Sequence, residues 1–225
     1  MKTALVIASR NRLQHLRRTV PSFLSQGSDH VIIVDMESTD GTQDWLRSLE
    51  IDRLTLAHCD NSEHSEFQRS MLLNTGSKIA LEFGCDVLVH LDCDCIIDYT
   101  WLNECIEGME RINDCCGALM FRPIPKWKGS GDVVVPAEIY RKMNGSCEDI
   151  INWGFDDSDF RDRMCRLGTA YRYAREHIRH IYHGEERNHN HSRANKKIWK
   201  ARTGYSANEG KTLDDLGWQG GITLS

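Results

Sequence analysis

The chain has 225 residues, of which 40% are hydrophobic and 27% are charged, and its formal net charge is −5. A chain of this length favours one folded domain, and the sequence lacks any run of about 20 apolar residues that could span a membrane. Residues 1–8 run directly into polar residues, unlike a signal peptide, so we expect a cytoplasmic protein.

The nine cysteines also favour a location in the cytoplasm. Their number is odd, and no Cys-x-x-Cys motif occurs. The neighbours Cys93 and Cys95, and likewise Cys115 and Cys116, lie too close together for ordinary disulfide pairing. Because thiols stay reduced in the cytosol, we expect free cysteines and neither a disulfide scaffold nor a zinc scaffold.

Strands and helices alternate over the first 98 residues. Short apolar runs predict strands at residues 3–8, 31–34, 54–57 and 87–91. Helices are predicted between them, at residues 13–24, about 45–49 and 67–83. This alternation predicts an α/β fold, with a mostly parallel, Rossmann-like sheet flanked by helices and joined by right-handed crossovers.

The pattern is looser after residue 98. A strand is predicted at residues 133–135, and Phe160, Met164 and Leu167 have helical spacing in a segment that begins near Asp156. From about residue 185 the chain is polar and rich in Asn, His, Arg and Lys, so we predict a loop or lid. No repeat or linker divides the chain, and residues 1–225 are therefore predicted to form a single domain.

Charge is distributed unevenly along the chain. Residues 1–160 contain 15 basic and 26 acidic residues, whereas residues 161–211 contain 13 and 5. A basic segment that folds over an acidic site would form a lid for an anionic ligand. A solvated helix face has the same composition, and composition alone does not separate the two interpretations.

The predicted strand at residues 87–91 ends in two carboxylates, Asp92 and Asp94. Ligands of open α/β sheets bind at the carboxyl ends of the strands. Carboxylate oxygens suit Mg²⁺ or Mn²⁺, and such an ion usually also holds substrate phosphates. The pattern favours a nucleotide diphosphate as ligand, although two solvated loop carboxylates would give the same short motif.

The turn after the first predicted strand contains arginines instead of glycines. Residues 9–12 read Ser-Arg-Asn-Arg, with neither Gly-x-Gly-x-x-Gly nor Gly-Lys-Ser/Thr nearby. The sequence therefore supports neither a dinucleotide fold nor a P-loop. Arginine forks, together with a metal ion, can hold phosphates instead.

Taken together, these motifs resemble the inverting GT-A glycosyltransferases of family 2. Residues 34–42, VDMESTDGT, are similar to the usual VDDGSTDGT, from which Met36 and Glu37 depart. Four further segments resemble the animal beta-galactosyltransferases and the bacterial chondroitin-type polymerases: RNR at 10–12, FQRSMLLNTG at 67–76, DCD at 92–94, and NG at 144–145 followed by WGFDDSD at 153–159. The resemblance implies a nucleotide-binding half at residues 1–98, an acceptor and catalytic half at 99–184, and a lid or tail at 185–225.

The resemblance also implies a UDP-sugar donor and the side chains that bind it. The residues implied to surround the uridine, ribose and diphosphate are Arg10, Arg12, Asp35, Phe67, Arg69 and Asp92. Asp156, one methylene shorter than the Glu often found there, would hold hydroxyls of the sugar. Trp153 would contact the acceptor or the sugar, and the small residues 129–131 would lie against the donor sugar.

A divalent cation, Mn²⁺ or Mg²⁺, is the cofactor that the resemblance implies. Asp94 would bind it, and His183 would supply an imidazole because YHGE at 182–185 resembles the YHQE of the polymerases. His180 is the alternative ligand, since IRH at 178–180 resembles the galactosyltransferases.

Asp157 is the candidate general base. Sugar transfer with inversion needs a group that accepts the proton of the acceptor hydroxyl, and Asp157 lies in the first turn of the predicted helix. The dipole of that helix is expected to lower the pKa of Asp157 and keep it ionised. The alternative is that the acidic residues of this turn only cap the helix, which stabilises a helix by about 0.5–2 kcal/mol.

The expected function is therefore transfer of a hexose or N-acetylhexosamine from a UDP-sugar to an acceptor hydroxyl. A glycan, or else a lipid-linked sugar, is the expected acceptor, and a hydroxylated DNA base is the alternative. A non-catalytic nucleotide- or carbohydrate-binding relative would keep the same fold. A nucleotidyltransferase is disfavoured, because the first turn lacks a glycine-rich loop with a lysine.

Overall fold

The computed structural model describes residues 1–60, 66–110, 118–122, 132–152, 154–167, 170–174, 178–183 and 191–225. The strands in these ranges are β1 Thr3–Ser9, β2 His30–Met36, β3 Leu54–Asp60, β4 Val87–Asp92, β5 Cys95–Ile97, β6 Ala118–Arg122, β7 Val133–Pro136, β8 Ala170–Ala174, β9 Ile178–His180 and β10 Gly221–Leu224. The α-helices are α1 Leu13–Leu24, α2 Thr42–Arg47, α3 Arg69–Glu82, α4 Trp101–Glu110, α5 Ala137–Lys142, α6 Asp156–Leu167 and α7 Ser192–Ala201.

Most of the described strands form one twisted layer. Their order in this sheet is β10-β3-β2-β1-β4-β7-β6-β8, and β5 pairs separately with β9. The pairs β1–β2, β1–β4, β2–β3 and β6–β8 are parallel, whereas β7 and β10 run antiparallel to their neighbours. The predicted α/β fold with a mostly parallel sheet is confirmed.

The central strands are buried on both faces because their Val, Leu and Ile side chains enter two apolar layers. One layer includes Leu72 and Leu73 of α3, and the other includes Leu16 and Phe23 of α1. Helices on both faces leave only the ends of the strands open. The parallel order of β1, β2, β3 and β4 brings four carboxyl ends to one edge, where a ligand site is expected.

Helix α3 approaches the sheet most closely at Gly76. A Cβ atom at this position would lie 2.5 Å from Cγ1 of Val6 and 2.8 Å from Cγ2 of Val34. Both distances are shorter than a carbon–carbon contact allows, and both valines belong to buried strands. The absence of a side chain at Gly76 therefore sets the spacing between α3 and the sheet.

We expect Gly76→Ala to lower the free energy of unfolding by about 1–3 kcal/mol, because an added methyl group overpacks this contact. Urea unfolding followed by circular dichroism measures the change. Glu82→Ala, at an exposed position of the same helix, is the matched control and should stay within about 0.5 kcal/mol of the parent. Equal stabilities of the two variants would contradict a close contact at Gly76.

The C-terminal residues contain more regular structure than the sequence indicates. The prediction of a loop from residue 185 is wrong for α7 and for β10, which pairs with β3 at the edge of the sheet. A role of this region as a lid stays a prediction.

The cysteines within the described ranges are free thiols. Among the helices in those ranges, none is long and apolar enough to cross a membrane.

Candidate functional site

The carboxyl end of β4 carries the two carboxylates that the sequence singles out. Asp92 is the last residue of β4, and Asp94 lies between β4 and β5. Ala8 of β1 lies opposite Asp92 in the sheet, so the segment that contains Arg10 and Arg12 leaves β1 at the same edge. The first half of the chain therefore presents acidic and basic side chains at one edge of the sheet.

Arg69, the first residue of α3, joins two of the predicted site carboxylates. Its Nη2 donates to Oδ1 of Asp92 at 2.7 Å, and its Nη1 donates to Oδ2 of Asp156 at 2.8 Å. Burial lowers the pKa of Arg69, but the two carboxylates raise it by more, so the guanidinium stays charged. Arg69 thus links the end of β4 to the start of α6.

Asp94, His180 and His183 form a compact cluster of potential metal ligands. Oδ2 of Asp94 lies 2.8 Å from Nε2 of His183 and 3.2 Å from Nε2 of His180. The three ligand atoms lie within 4.8 Å of one another. Pairing of β5 with β9 places Cys95 opposite His180, and this pairing brings the histidine segment to Asp94. The expected ligand and its alternative therefore both contact the same carboxylate.

The cluster favours an ionised carboxylate. Burial raises the pKa of Asp94, but hydrogen bonds and charge from His180 and His183 lower it by more, so the net shift is downward. The hydrogen bond to Asp94 raises the pKa of His180. His15 of α1 packs edge-to-face on His183, with ring centroids 5.2 Å apart. Burial and the nearby charge of Arg12 lower the pKa of His15.

Asp132 is a site residue that the sequence did not single out. It is fully buried just before β7, and its Oδ1 accepts a hydrogen bond from the backbone N–H of Asp92 at 2.8 Å. Burial, and then the charge of Asp92, raise the pKa of Asp132 well above its ordinary value. A single Asp before a run of valines gives no signal in the sequence. Only the pairing of β7 with β4 brings it beneath the site.

Asp157, the candidate base, lies in the first turn of α6 next to Asp156. Together with Arg69, both carboxylates line one pocket. Burial, and then the charge of Asp156, raise the pKa of Asp157. The expectation of a lowered pKa is therefore wrong, because desolvation and a neighbouring like charge raise the pKa.

The chain enters α6 through a strained loop. Asn152, Gly154 and Phe155 have positive φ angles of 57°, 107° and 72°, and a non-glycine residue held in this region costs about 1–3 kcal/mol. Asn195 of α7 restrains the loop, since its Nδ2 donates to the carbonyl of Ile151 at 2.8 Å and to that of Gly154 at 3.1 Å. The position of the first turn of α6 thus depends on α7.

Asp35 lies near the end of β2 and has no exposed surface. Its Oδ1 accepts the hydroxyl of Ser38 at 2.5 Å, and its Oδ2 accepts the amide of Gln43 at 2.9 Å. Burial raises the pKa of Asp35. Ser38 also accepts the backbone N–H of Asn11. In this structure Asp35 holds the loop after β2 against the arginine segment, and contact with a nucleotide would require Ser38 or Gln43 to move.

Phe67 lies in the loop before α3. Phe67 packs partly buried against the core before α3, and its carbonyl accepts the backbone N–H of Asn152 at 3.1 Å. The loops that precede α3 and α6 are therefore in direct contact. Trp153 and residues 129–131 lie outside the described residues.

The sequence matches a known family over more than half of its length. The model of Glycosyl transferase family 2 matches residues 4–132. These residues contain β1, β2, β3 and β4, the arginine segment, Arg69 and the carboxylates of β4. A comparison with curated proteins finds no match.

Several solved structures share the fold. The catalytic domain of Drosophila beta1,4-galactosyltransferase 7, solved with xylobiose, has a TM-score of 0.64 and 18% identity over 95% of this chain and 83% of its own. Glucosyl-3-phosphoglycerate synthase from Mycobacterium tuberculosis, solved with Mn²⁺, UDP and phosphoglyceric acid, has a TM-score of 0.63 and 12% identity, over 81% of this chain and 71% of its own. A mannosyltransferase from Pyrobaculum calidifontis, solved with GDP-Man and Mn²⁺, has a TM-score of 0.61 and 16% identity, over 77% of this chain and 55% of its own. The chain is therefore a glycosyltransferase that belongs to Glycosyl transferase family 2 and has the GT-A fold.

Proposed function

We propose that this enzyme is a metal-dependent inverting transferase that moves a hexose or N-acetylhexosamine from a UDP-sugar to a hydroxyl of a glycan. The observation that carries the proposal is the arrangement at the end of β4. A carboxylate with two imidazoles, a charged guanidinium between two carboxylates, and a carboxylate of raised pKa meet at one edge of the sheet. Transfer from a nucleotide sugar needs these three parts: a cation site, a phosphate site and a base.

Asp94, His183 and His180 would hold the cation. One carboxylate oxygen and two imidazole nitrogens fit Mn²⁺, whereas Mg²⁺ prefers oxygen ligands and water. The low pKa of Asp94 keeps the carboxylate ready for a cation. When bound, a divalent ion would offset the negative charge that develops on the leaving diphosphate. Solved relatives of the same fold contain Mn²⁺ with UDP or GDP-Man, which supports this choice of cofactor.

The nucleotide would lie along the edge formed by β1 and β4. Arg10, Arg12 and Arg69 supply guanidinium groups for the diphosphate, and Asp92 faces the ribose. Phe67, in contact with the loop before α6, would lie beside the uridine. Asp35 would act mainly by fixing the loop after β2, because its carboxylate is buried.

The acceptor would enter from the side of α6. Asp157 would remove the proton of the attacking hydroxyl, and its raised pKa brings its basicity closer to that needed near neutral pH. Attack from the face opposite the diphosphate inverts the anomeric carbon. Asp156, released from Arg69, would hold hydroxyls of the donor sugar. Trp153 is proposed to contact the acceptor or the sugar.

Calorimetric titration of UDP tests the donor and the cation together. We expect UDP to bind in the presence of Mn²⁺, and EDTA to weaken binding by at least about tenfold, because a cation at the diphosphate supplies several kcal/mol of charge stabilisation. GDP and CDP should bind more weakly than UDP. Asp94→Ala and His183→Ala should each remove the difference between Mn²⁺ and EDTA.

Asp98→Ala is the matched control for the metal variants, because Asp98 lies on the same segment beyond β5 and outside the cluster. It should bind UDP with the same dependence on Mn²⁺ as the parent. UDP binding that is equally tight with EDTA would contradict a metal-dependent donor site. No binding of any nucleotide would favour a non-catalytic relative.

The strained loop before α6 gives a second prediction. We expect Asn195→Ala to lower turnover by roughly 10- to 100-fold, because a displacement of about 1 Å at a reacting group can cost 10²-fold. Turnover is measured as release of UDP from a UDP-sugar. The affinity for UDP with Mn²⁺ should change by less than about twofold, since Asn195 contacts α6 and its loop and lies on neither β1 nor β4.

Asn208→Ala separates positioning from stability. Asn208 is also buried. Its Nδ2 donates to the carbonyls of Asn144 and Ser146, and its Oδ1 accepts the backbone N–H of Glu148, so the variant loses at least as many hydrogen bonds as Asn195→Ala. We expect both variants to unfold at lower urea concentration, but only Asn195→Ala to lose most of its turnover. Equal turnover of the two variants would contradict a role of Asn195 in placing α6.

A further inference from the structure

Helix α7 carries a row of positive charge on its exposed face. Arg193, Lys196, Lys197 and Lys200 have the spacing i, i+3, i+4 and i+7, which places them on one side of a helix. All four are exposed. The row is about 10 Å long, because a helix rises about 1.5 Å per residue. The chain as a whole has a net charge of −5, so this positive charge is local.

The four cations have no carboxylate partner among the described residues. Elsewhere in those ranges, exposed basic residues such as Lys142 and Arg47 form ion pairs with Glu138 and Asp44 of their own helices. On α7, Lys196 instead makes a cation–π contact, with its Nζ 5.8 Å from the centre of the Phe155 ring. A row of like charges without acidic partners destabilises an isolated helix slightly, so an anionic ligand bound along this face would stabilise it.

The basic row lies next to the loop that carries the candidate base. Phe155, two residues before Asp157, stacks on Trp199 of α7 with ring centroids 5.2 Å apart. Asn195, on the inner face of the same helix, holds the carbonyls of the loop. Because Lys196 of the row lies over the Phe155 ring, a molecule bound along the row reaches the loop before α6.

We propose that the basic row of α7 binds an acidic oligosaccharide, and that this is the acceptor which the site glycosylates. Carboxylate or sulfate groups on successive sugars would face Arg193, Lys197 and Lys200. The chain end would then extend over Phe155 to Asp157. This inference rests on the proposed function, since it names the class of acceptor for that same site.

Two other polyanions fit less well. A helix that lies in a membrane surface needs exposed apolar side chains, but Ile198 packs beside Cys147 and Ile150, and Trp199 is held by Phe155 and Asp162. Stable binding to a nucleic acid commonly uses about 6–10 phosphate contacts. Four cations on a chain of net charge −5 supply fewer than that.

Binding to defined polyanions tests the inference without turnover. The probes are a hyaluronan hexasaccharide, neutral chitohexaose, a 20-nucleotide single-stranded DNA and vesicles that contain phosphatidylserine. We expect the parent protein to bind the acidic hexasaccharide with an affinity that falls as salt rises, and to bind chitohexaose at least about tenfold more weakly. Lys197→Glu/Lys200→Glu should weaken binding of the acidic hexasaccharide by at least about tenfold.

Arg17→Glu/Arg18→Glu makes the same change of charge on the exposed side of α1 and should alter this binding by less than about twofold. Each protein is also titrated with UDP and Mn²⁺. Normal UDP binding without binding of the acidic hexasaccharide would overturn this inference alone, whereas loss of UDP binding from the parent would overturn the proposed function. Tighter binding of the DNA or the vesicles than of the acidic hexasaccharide would also overturn the inference that the row binds an acidic oligosaccharide.

Discussion

We expect Asp157→Asn to lower turnover by about 10²–10⁴-fold, the usual contribution of a positioned general base, while UDP binding with Mn²⁺ stays unchanged. Asparagine has nearly the shape of aspartate but cannot accept a proton. Asp157 lines the same pocket as Arg69, and its Oδ1 accepts hydrogen bonds from the backbone N–H and the hydroxyl of Ser158. The variant should therefore remove the base and leave the donor site intact.

The raised pKa of Asp157 adds a pH dependence and a change in stability. A base works only when deprotonated, so turnover of the parent should fall with acidity around a pKa above the ordinary carboxyl value of 3.8. A carboxyl whose pKa is raised by folding destabilises the folded state progressively as the pH rises from the unfolded pKa to the raised pKa, and the loss is complete above the raised pKa. Asp157→Asn should thus unfold at the same or a higher urea concentration near pH 7.

These results separate a base from a helix cap. If the carboxylates of this turn only stabilise α6, Asp157→Asn should lower stability and leave turnover unchanged. Asp44→Asn, an exposed carboxylate in the first turn of α2, is the matched control and should change neither quantity. Unchanged turnover in Asp157→Asn would remove the assignment of this residue as the base.

We expect Arg69→Ala to weaken UDP binding by roughly 30- to 4,000-fold, because loss of one partner from a buried charge pair costs about 2–5 kcal/mol. Arg69 is largely buried and donates to Asp92 and Asp156. Without it, two carboxylates would face the diphosphate without a compensating charge. Calorimetric titration with UDP and Mn²⁺ measures the loss.

Arg69→Lys is the informative comparison. Lysine keeps the charge but lacks the planar fork that spans Asp92 and Asp156, so its affinity should lie between those of the parent and Arg69→Ala. Urea unfolding shows whether the variants remain folded, and Mn²⁺ binding alone should persist in both. A UDP affinity of Arg69→Ala within about threefold of the parent would exclude Arg69 from the phosphate site.

The strands that position the site were predictable because each is a short apolar run that ends in polar residues. Predicted residues 3–8, 31–34 and 87–91 became β1, β2 and β4, with ends that differ by at most two residues. Burial on both faces produces this signal, since most side chains of such a strand are apolar. The strand β10 was missed because four residues, Gly-Ile-Thr-Leu, are too few to show a period.

The individual site residues were predictable only where a motif carries them. The contacts of Asp94 with His180 and His183 join segments that a motif had singled out. Asp132 and Asn195 belong to no motif, and they reach the site through strand pairing and helix packing. The upward shift of the pKa of Asp157 depends on how deeply the carboxylate is buried, which no sequence pattern reports.

The fork of Arg69 has a consequence for the order in which substrates add. This one guanidinium is shared by Asp92 at the end of β4 and Asp156 in the first turn of α6. A diphosphate that takes over the guanidinium would leave Asp156 without its partner, and the carboxylate would then turn to the sugar hydroxyls. The acceptor pocket would be completed only after the nucleotide sugar has arrived. Such an enzyme would follow a compulsory sequence, donor first, and this sequence would limit wasteful attack by water on an incompletely assembled complex.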